Sequence, residues 1–247
     1  MAYLGGKSKG YQHIINVLND SVFDNLNYFE PFVGYSHILK RIINKKTYNA
    51  SDYNKLLIIL LKYIQKNTIY PHITKEQYTS LKNDNTINSR LNKAFAAFTY
   101  SYNGKFFGGY TDILHNRNYP EERKRYYKVL FNNPTFQKTK LTHTHFNTLN
   151  PKNSIIYCDP PYQNTTGYSM EPFDYNEFWN IMRKWSLNNF VFISEYTAPK
   201  DFNIITTAQK KMSISGKGAT QNRTENLYAH ESFFQTRTFK QLRQNIT

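Results

Sequence analysis

The residues with the plainest chemical potential are Asp159-Pro160-Pro161-Tyr162, which follow directly on the apolar run Ile155-Ile156-Tyr157-Cys158. That run reads as a short buried strand from Asn153 to Cys158, halted by the two prolines. The tetrapeptide therefore falls at the carboxyl edge of a sheet, where open α/β folds bind ligands. An exocyclic amine conjugated to a ring is a poor nucleophile, because its lone pair is delocalised. Two acceptors correct this: the Asp159 carboxylate takes one amine hydrogen and the Pro160 carbonyl, held by the stiff di-proline, takes the other. The lone pair is then aimed at an electrophile. Tyr162 adds a face on which a base can stack, worth roughly 1 to 3 kcal/mol per base on comparable platforms. A carboxylate and an aromatic face also favour the positive charge that passes from a sulfonium to an amine during transfer. Cys158 lies within the strand rather than at its exposed end and reads as a buried, inert thiol. The competing reading is an ordinary strand-ending turn.

Around this corner the chain alternates strand and helix. Tyr28 to Phe32 and Tyr48 to Ser51 read as strands, Ser36 to Lys45 and Asn54 to Lys66 as helices, and the order is that of an open α/β sheet. From Ile69 to about Leu149 the sequence turns polar and aromatic, with basic clusters such as Arg123-Lys124-Arg125. Beyond it, Asn176 to Trp185 reads as a helix and Phe190 to Ser194 as a strand, with further antiparallel strands in the tail. The expected organisation is a discontinuous catalytic domain, 1–67 and 150–247, interrupted by an inserted domain, 68–149.

Composition narrows the class. Lys and Arg outnumber Asp and Glu by 32 to 17 in 247 residues, a formal charge of +15 that suits a polyanionic partner such as nucleic acid. Abundant Asn, Lys, Ile and Tyr would also follow from AT-rich coding, so charge alone does not decide. The single cysteine excludes an intrachain disulfide and a multi-cysteine zinc site, which points to a reducing compartment. No window is apolar over the roughly 18 residues of a membrane-spanning helix, and the N-terminus lacks a signal pattern. A soluble, intracellular protein without a membrane or metal is expected.

In this order of motifs the chain resembles the Dam-type, alpha-group DNA adenine-N6 methyltransferases of bacteria, phages and large DNA viruses. Tyr3-Leu4-Gly5-Gly6-Lys7 resembles the family's N-terminal cofactor motif, at which a helix begins. Phe29-Glu30-Pro31-Phe32-Val33-Gly34-Tyr35-Ser36 resembles its cofactor loop, with Tyr35 and Ser36 where further glycines are usual. Asp52, about 20 residues on, stands where an acidic side chain accepts from ribose hydroxyls, with capping of the next helix as the structural alternative. His145-Phe146 is similar to a segment that packs on the adenosyl group. Tyr100-Ser101-Tyr102-Asn103-Gly104-Lys105-Phe106-Phe107-Gly108-Gly109 resembles the DNA-contacting hairpin, and Asn-Gly is itself a hairpin signal. Arg223-Thr224-Glu225-Asn226-Leu227 is similar to the closing hairpin, and Tyr168 and Tyr196 stand as candidate walls of the base pocket.

The resemblance implies a Rossmann-like sheet dependent on S-adenosylmethionine, with an inserted helical and hairpin target-recognition lobe. It implies cofactor contacts from Tyr3, Gly5, Lys7, Pro31, Phe32, Gly34, Ser36, Asp52, His145, Phe146 and Asp159, catalysis by Asp159, Pro160 and Tyr162, and DNA contacts from Tyr102, Asn103 and Lys105. The expected activity is methylation of adenine N6 in double-stranded DNA, by base flipping and direct transfer. A solitary enzyme and the partner of a restriction endonuclease are both open, in the cytoplasm of a bacterium or of a virus-infected host. Cytosine-N4 methylation is the nearest rival, since that amine is chemically alike. A catalytically silent DNA-binding relative is the rival from another class, prompted by the altered glycine loop.

Overall fold

The computed structural model describes residues 7, 10–111, 113–114, 117–161, 173–213 and 220–246, so Tyr3, Gly5, Tyr162 and Tyr168 lie outside the described residues. In chain order the elements are α1 (Gln12–Leu18), β1 (Asn27–Glu30), β2 (Thr47–Asp52), α2 (Lys55–Lys66), α3 (Lys75–Asn83), α4 (Arg90–Thr99), β3 (Ile113–Leu114), β4 (Arg117–Asn118) and α5 (Tyr119–Phe131). They continue with α6 (Pro134–Lys138), β5 (Lys140–His143), β6 (Ser154–Cys158), α7 (Tyr175–Ser186), β7 (Phe190–Glu195), β8 (Phe202–Ser213), β9 (Thr220–His230), α8 (Glu231–Phe234) and α9 (Arg237–Ile246).

Seven strands form one sheet in the order β5-β2-β1-β6-β7-β9-β8. The first five run parallel. The long β8–β9 hairpin closes the other edge antiparallel. The chain moves from β1 outward to β2, then returns to place β6 on the other side of β1. The carboxyl ends of β1 and β6 thus border the point where strand order reverses, which is where ligand crevices open in such sheets. All five residues of β6 are buried, as a central strand covered on both faces requires.

Two apolar clusters flank the sheet. One joins α2 and α4 to β1 and β2 through residues such as Leu57, Leu60, Phe95 and Phe98. The other packs α7 on β6 and β7 through Phe178, Trp179, Met182 and Trp185, the apolar positions whose helical spacing is visible in the sequence. Lys140–His143, the last strand of the 68–149 stretch, adds to the main sheet beside β2. No helix among the described residues is long and apolar enough to cross a membrane.

Two local expectations are corrected. Ser36 to Lys45 is not a helix: only Leu39–Arg41 makes a 3-10 turn, and Gly34, Ser36 and Asn44 adopt positive φ of 48°, 57° and 58°. Side chains from elsewhere take the carbonyls that a helix would use internally. Asn133 donates to Lys40 O at 2.8 Å, Asn19 to Arg41 O at 2.8 Å and Thr135 to Ile42 O at 2.7 Å. Nor is Asn103-Gly104 a two-residue hairpin turn, because Tyr102–Gly104 is a 3-10 turn inside a wider loop. That loop is closed by Tyr102 N–H to Gly109 O at 2.8 Å and Thr111 N–H to Tyr100 O at 2.9 Å.

Phe178, fully buried among Phe32, Phe146 and Trp179, should tolerate truncation poorly. Phe178→Ala is expected to lower unfolding free energy in urea by about 3 to 5 kcal/mol. Leu187→Ala, at a side chain 74% exposed, should stay within about 0.5 kcal/mol of the native protein.

Candidate active site

Just past the end of β6, Asp159 is bound by a buried lysine. Lys7 Nζ lies 2.5 Å from Asp159 Oδ1 and 2.9 Å from Glu225 Oε1 on β9, and its side chain is 1% exposed. A lone ammonium in such a place would be driven to neutrality by burial. Burial does pull its pKa down, but the charges and hydrogen bonds of Asp159 and Glu225 outweigh that and hold it above the ordinary lysine value. Glu30, at the end of β1, completes the corner. It accepts from Tyr28 Oη at 2.7 Å, and burial pushes its pKa well up. One lysine ammonium thus bridges Asp159 and Glu225, and a carboxylate at this corner favours a group that becomes positive beside it. Pro160 is buried and Pro161 exposed, with the Pro161 carbonyl accepting from Tyr175 Oη.

The loop after β1 lies beside this corner. Val33 N–H donates to Ser51 O at 3.0 Å, and Gly34 N–H to Asp52 Oδ2 at 3.1 Å, which fastens the loop to the end of β2. Asp52 Oδ1 also accepts from Asn54 N–H at 2.8 Å. The cap of α2 is Asn54, whose side chain accepts from Leu57 N–H, so Asp52 is released from the capping role. Burial raises the Asp52 pKa to about 6, against the opposing pull of the Asn54 and Gly34 N–H groups. Two polar atoms in this loop are buried without a hydrogen-bond partner among the described residues, Ser36 Oγ and His37 Nε2.

Phe32 packs on Phe146 at 5.3 Å between centroids, and His145 stacks edgewise on Tyr53 at 5.1 Å. Tyr53, directly after Asp52, is 56% exposed. Of the residues expected from sequence, the described Lys7, Gly34, Ser36, Asp52, His145, Phe146 and Asp159 thus border the carboxyl ends of β1, β2 and β6. Pro31 and Phe32 lead directly out of β1.

The residues expected at DNA lie apart, on the loop between α4 and β3. Tyr102 is 42% exposed and Lys105 is exposed. Asn103 contributes its backbone to the 3-10 turn. Tyr196 is half-buried after β7, and its carbonyl accepts from Tyr228 Oη at 3.1 Å. Sequence reasoning missed the catalytic-corner roles of Glu30 and Glu225, and it missed His37 altogether. The only signal for the first two was acidic residues inside motifs already singled out.

Removing the cation should expose the cost of the corner. Lys7→Met is expected to destabilise the fold by about 3 to 5 kcal/mol, since it leaves two carboxylates without their counter-charge. Adding Glu225→Leu should recover much of that in urea titration. A double variant no more stable than Lys7→Met would show that Glu225 is not balanced by this lysine.

The solved structures similar to this chain include a putative RNA methyltransferase from Pyrococcus horikoshii, 9% identical with a TM-score of 0.41 over 88% of this chain and 78% of that one. They include a putative methyltransferase from Streptococcus mutans in complex with SAH, 7% identical with a TM-score of 0.38 over 90% and 98%. A third is the putative methyltransferase yhhF from Escherichia coli, 10% identical with a TM-score of 0.39 over 93% and 91%. No curated protein sequence matches. The model of the D12 class N6 adenine-specific DNA methyltransferases matches residues 3–234, a span that takes in the Lys7 segment, the β1 loop, Asp159 and Glu225. The chain belongs to that family, whose members transfer methyl from S-adenosylmethionine to adenine N6 in DNA.

Proposed function

We propose that this chain is a Dam-type enzyme that flips an adenine out of double-stranded DNA and methylates it directly. The observation that carries the reading is the Lys7–Asp159–Glu225 cluster, at the reversal of strand order and beside a loop fastened to Asp52. In this reading 1–67 and 150–247 form the catalytic domain. The helices and loop of 68–149 present the target-recognition surface, and the final strand of that stretch belongs to the sheet.

The donor fits the groups present. Ser36 Oγ and His37 Nε2 are buried polar atoms in want of partners, Asp52 retains lone pairs for ribose hydroxyls, and Tyr53 and His145 offer ring faces. Pro31, Phe32, Gly34 and Phe146 line the same crevice, with Tyr3 and Gly5 contributing from the N-terminal segment. When bound, S-adenosylmethionine supplies an electrophilic methyl carbon attached to a sulfonium.

The protein's own part is positional and electrostatic. Asp159 and the Pro160 carbonyl each accept an amine hydrogen, which turns the nitrogen lone pair towards the methyl carbon. The Asp159 carboxylate would meet positive charge developing on the amine nitrogen. Lys7 restrains Asp159 in this orientation. Tyr162 supplies the stacking face for the extruded base, while Tyr102 fills the gap in the duplex and Asn103 and Lys105 contact bases or phosphates.

Incubating unmethylated plasmid with the protein and S-adenosylmethionine, then digesting to nucleosides for mass spectrometry, should yield N6-methyladenine, with at least about a hundredfold loss in Asp159→Ala. N4-methylcytosine, or no methylated base, would overturn the reading. The Asp52 carboxylate accepts most strongly when ionised, and its pKa of about 6 places the transition just below neutrality. Calorimetry with S-adenosylhomocysteine should therefore show affinity falling by about tenfold from about pH 7.5 to about pH 5, a dependence that Asp52→Asn flattens.

A further inference from the structure

Helix α5 carries two buried polar side chains one turn apart, Arg123 and Tyr126, and each holds a different loop. The Arg123 guanidinium donates to Thr99 O, to Ser101 O and, at 2.9 Å, to Thr111 Oγ1. Those acceptors bracket the loop that exposes Tyr102 and Lys105. Its base is tightened further by Tyr78 Oη, 2.9 Å from Ser101 Oγ and accepting from Gly109 N–H at 3.1 Å. A side chain 4% exposed whose fork joins both ends of a loop ties the position of that loop to α5.

Three residues on, Tyr126 Oη donates to Tyr35 O at 2.9 Å and lies 3.0 Å from His37 Nδ1. Burial, then the charges of Lys40, Arg41 and Lys7, lower the His37 pKa to about 3, so the ring is neutral. Since Tyr126 gives its hydrogen to Tyr35 O, it can only accept from His37, and Nδ1 must carry the proton. The tautomer is thereby set, and Nε2 is left as a buried acceptor with no partner among the described residues. The Tyr35 and Tyr126 rings meet at 5.6 Å, between Gly34 and Ser36 on one side and the insert on the other.

We propose that α5 is a common frame for the two loops, with Arg123 and Tyr126 as positioning residues that make donor binding and DNA binding mutually reinforcing. The proposal rests on the reading above, in which the β1 loop binds the donor and the Tyr102 loop binds DNA. A ligand that orders one loop sets the helix for the other, and the coupling is equal in both directions by linkage. The rigid element carrying it is a little over three turns of helix, with its two contacts on one face.

The test is a binding cycle: affinity for a short labelled duplex carrying the methylated site, with and without saturating S-adenosylhomocysteine, in the native protein and three variants. In the native protein the donor product should tighten DNA binding by about fivefold or more. Tyr126→Phe, which keeps the ring and loses the hydroxyl, should bring that ratio close to one with little change in either separate affinity. Arg123→Lys should raise KM for DNA and relax discrimination against near-cognate sites, with kcat at saturation much less affected. Tyr127→Phe is the control, because that neighbouring hydroxyl donates to Asn67 O and Ile69 O and touches neither loop. It should cost stability and leave the ratio unchanged. A native ratio of one, or a folded Tyr126→Phe with an unchanged ratio, overturns the proposal, as does an equal loss in Tyr127→Phe. Each of these would leave methylation of adenine standing, whereas absence of N6-methyladenine would strike the functional reading instead.

Discussion

The structure turns on one buried ammonium. Lys7 joins three stretches of chain remote in sequence: the segment before α1, the end of β6 through Asp159, and the β9 strand through Glu225. A lysine fully removed from water costs several kcal/mol unless its charge is answered, and two carboxylates within 3 Å answer it. The debt is reciprocal, since Glu225 is completely buried and Asp159 nearly so. None of the three is tolerable without the others. The Asp159 carboxylate is thus held in place by the same buried ammonium that contacts Glu225 on the antiparallel edge of the sheet.

That arrangement explains why the chemistry belongs at this edge. Parallel strands deliver their carboxyl ends to one side, and the reversal between β1 and β6 separates the loops that follow them. On the β1 side the chain is tied down by backbone donors, Gly34 to Asp52 and Val33 to Ser51. On the β6 side di-proline removes two amide donors and fixes φ, and the Pro161 carbonyl accepts from Tyr175 Oη. The ion pair of Lys7 with Asp159 sits just past the end of β6, beside these two loops.

Much of this was legible in the sequence where the information is local. The buried run ending in Asp159, the periodicity of α2 and α7 and the order of strands all follow from patterns a few residues long, and the observed elements match them within a residue or two. What escaped depends on partners far along the chain. Ser36 to Lys45 has the composition of a helix, yet Asn19, Asn133 and Thr135 claim its carbonyls, and no local pattern announces donors 22 and 93 residues away. Glu225 and Glu30 look like surface acids until the fold seals them against Lys7 and Tyr28. His37 falls in the same class, since its value lies in a tautomer set by a tyrosine from the insert.

The substituted glycine loop shows how far the insert has been absorbed into the site. Where a glycine would turn freely, Ser36 holds φ at 57°, a left-handed conformation costing about 1 to 2 kcal/mol for a residue with a Cβ. Tyr35, at the neighbouring position, is 3% exposed and turned into the cluster around Tyr126. Burying a ring of that size contributes on the order of 1.5 to 3 kcal/mol, and the bond from Tyr126 to its carbonyl adds about 1. The two together offset the strain at Ser36. A loop that glycine would shape by having no side chain is shaped here by one that packs on Tyr126 of α5. The turn at Ser36 therefore needs no glycine: its left-handed conformation is offset by the contacts of Tyr35 with α5.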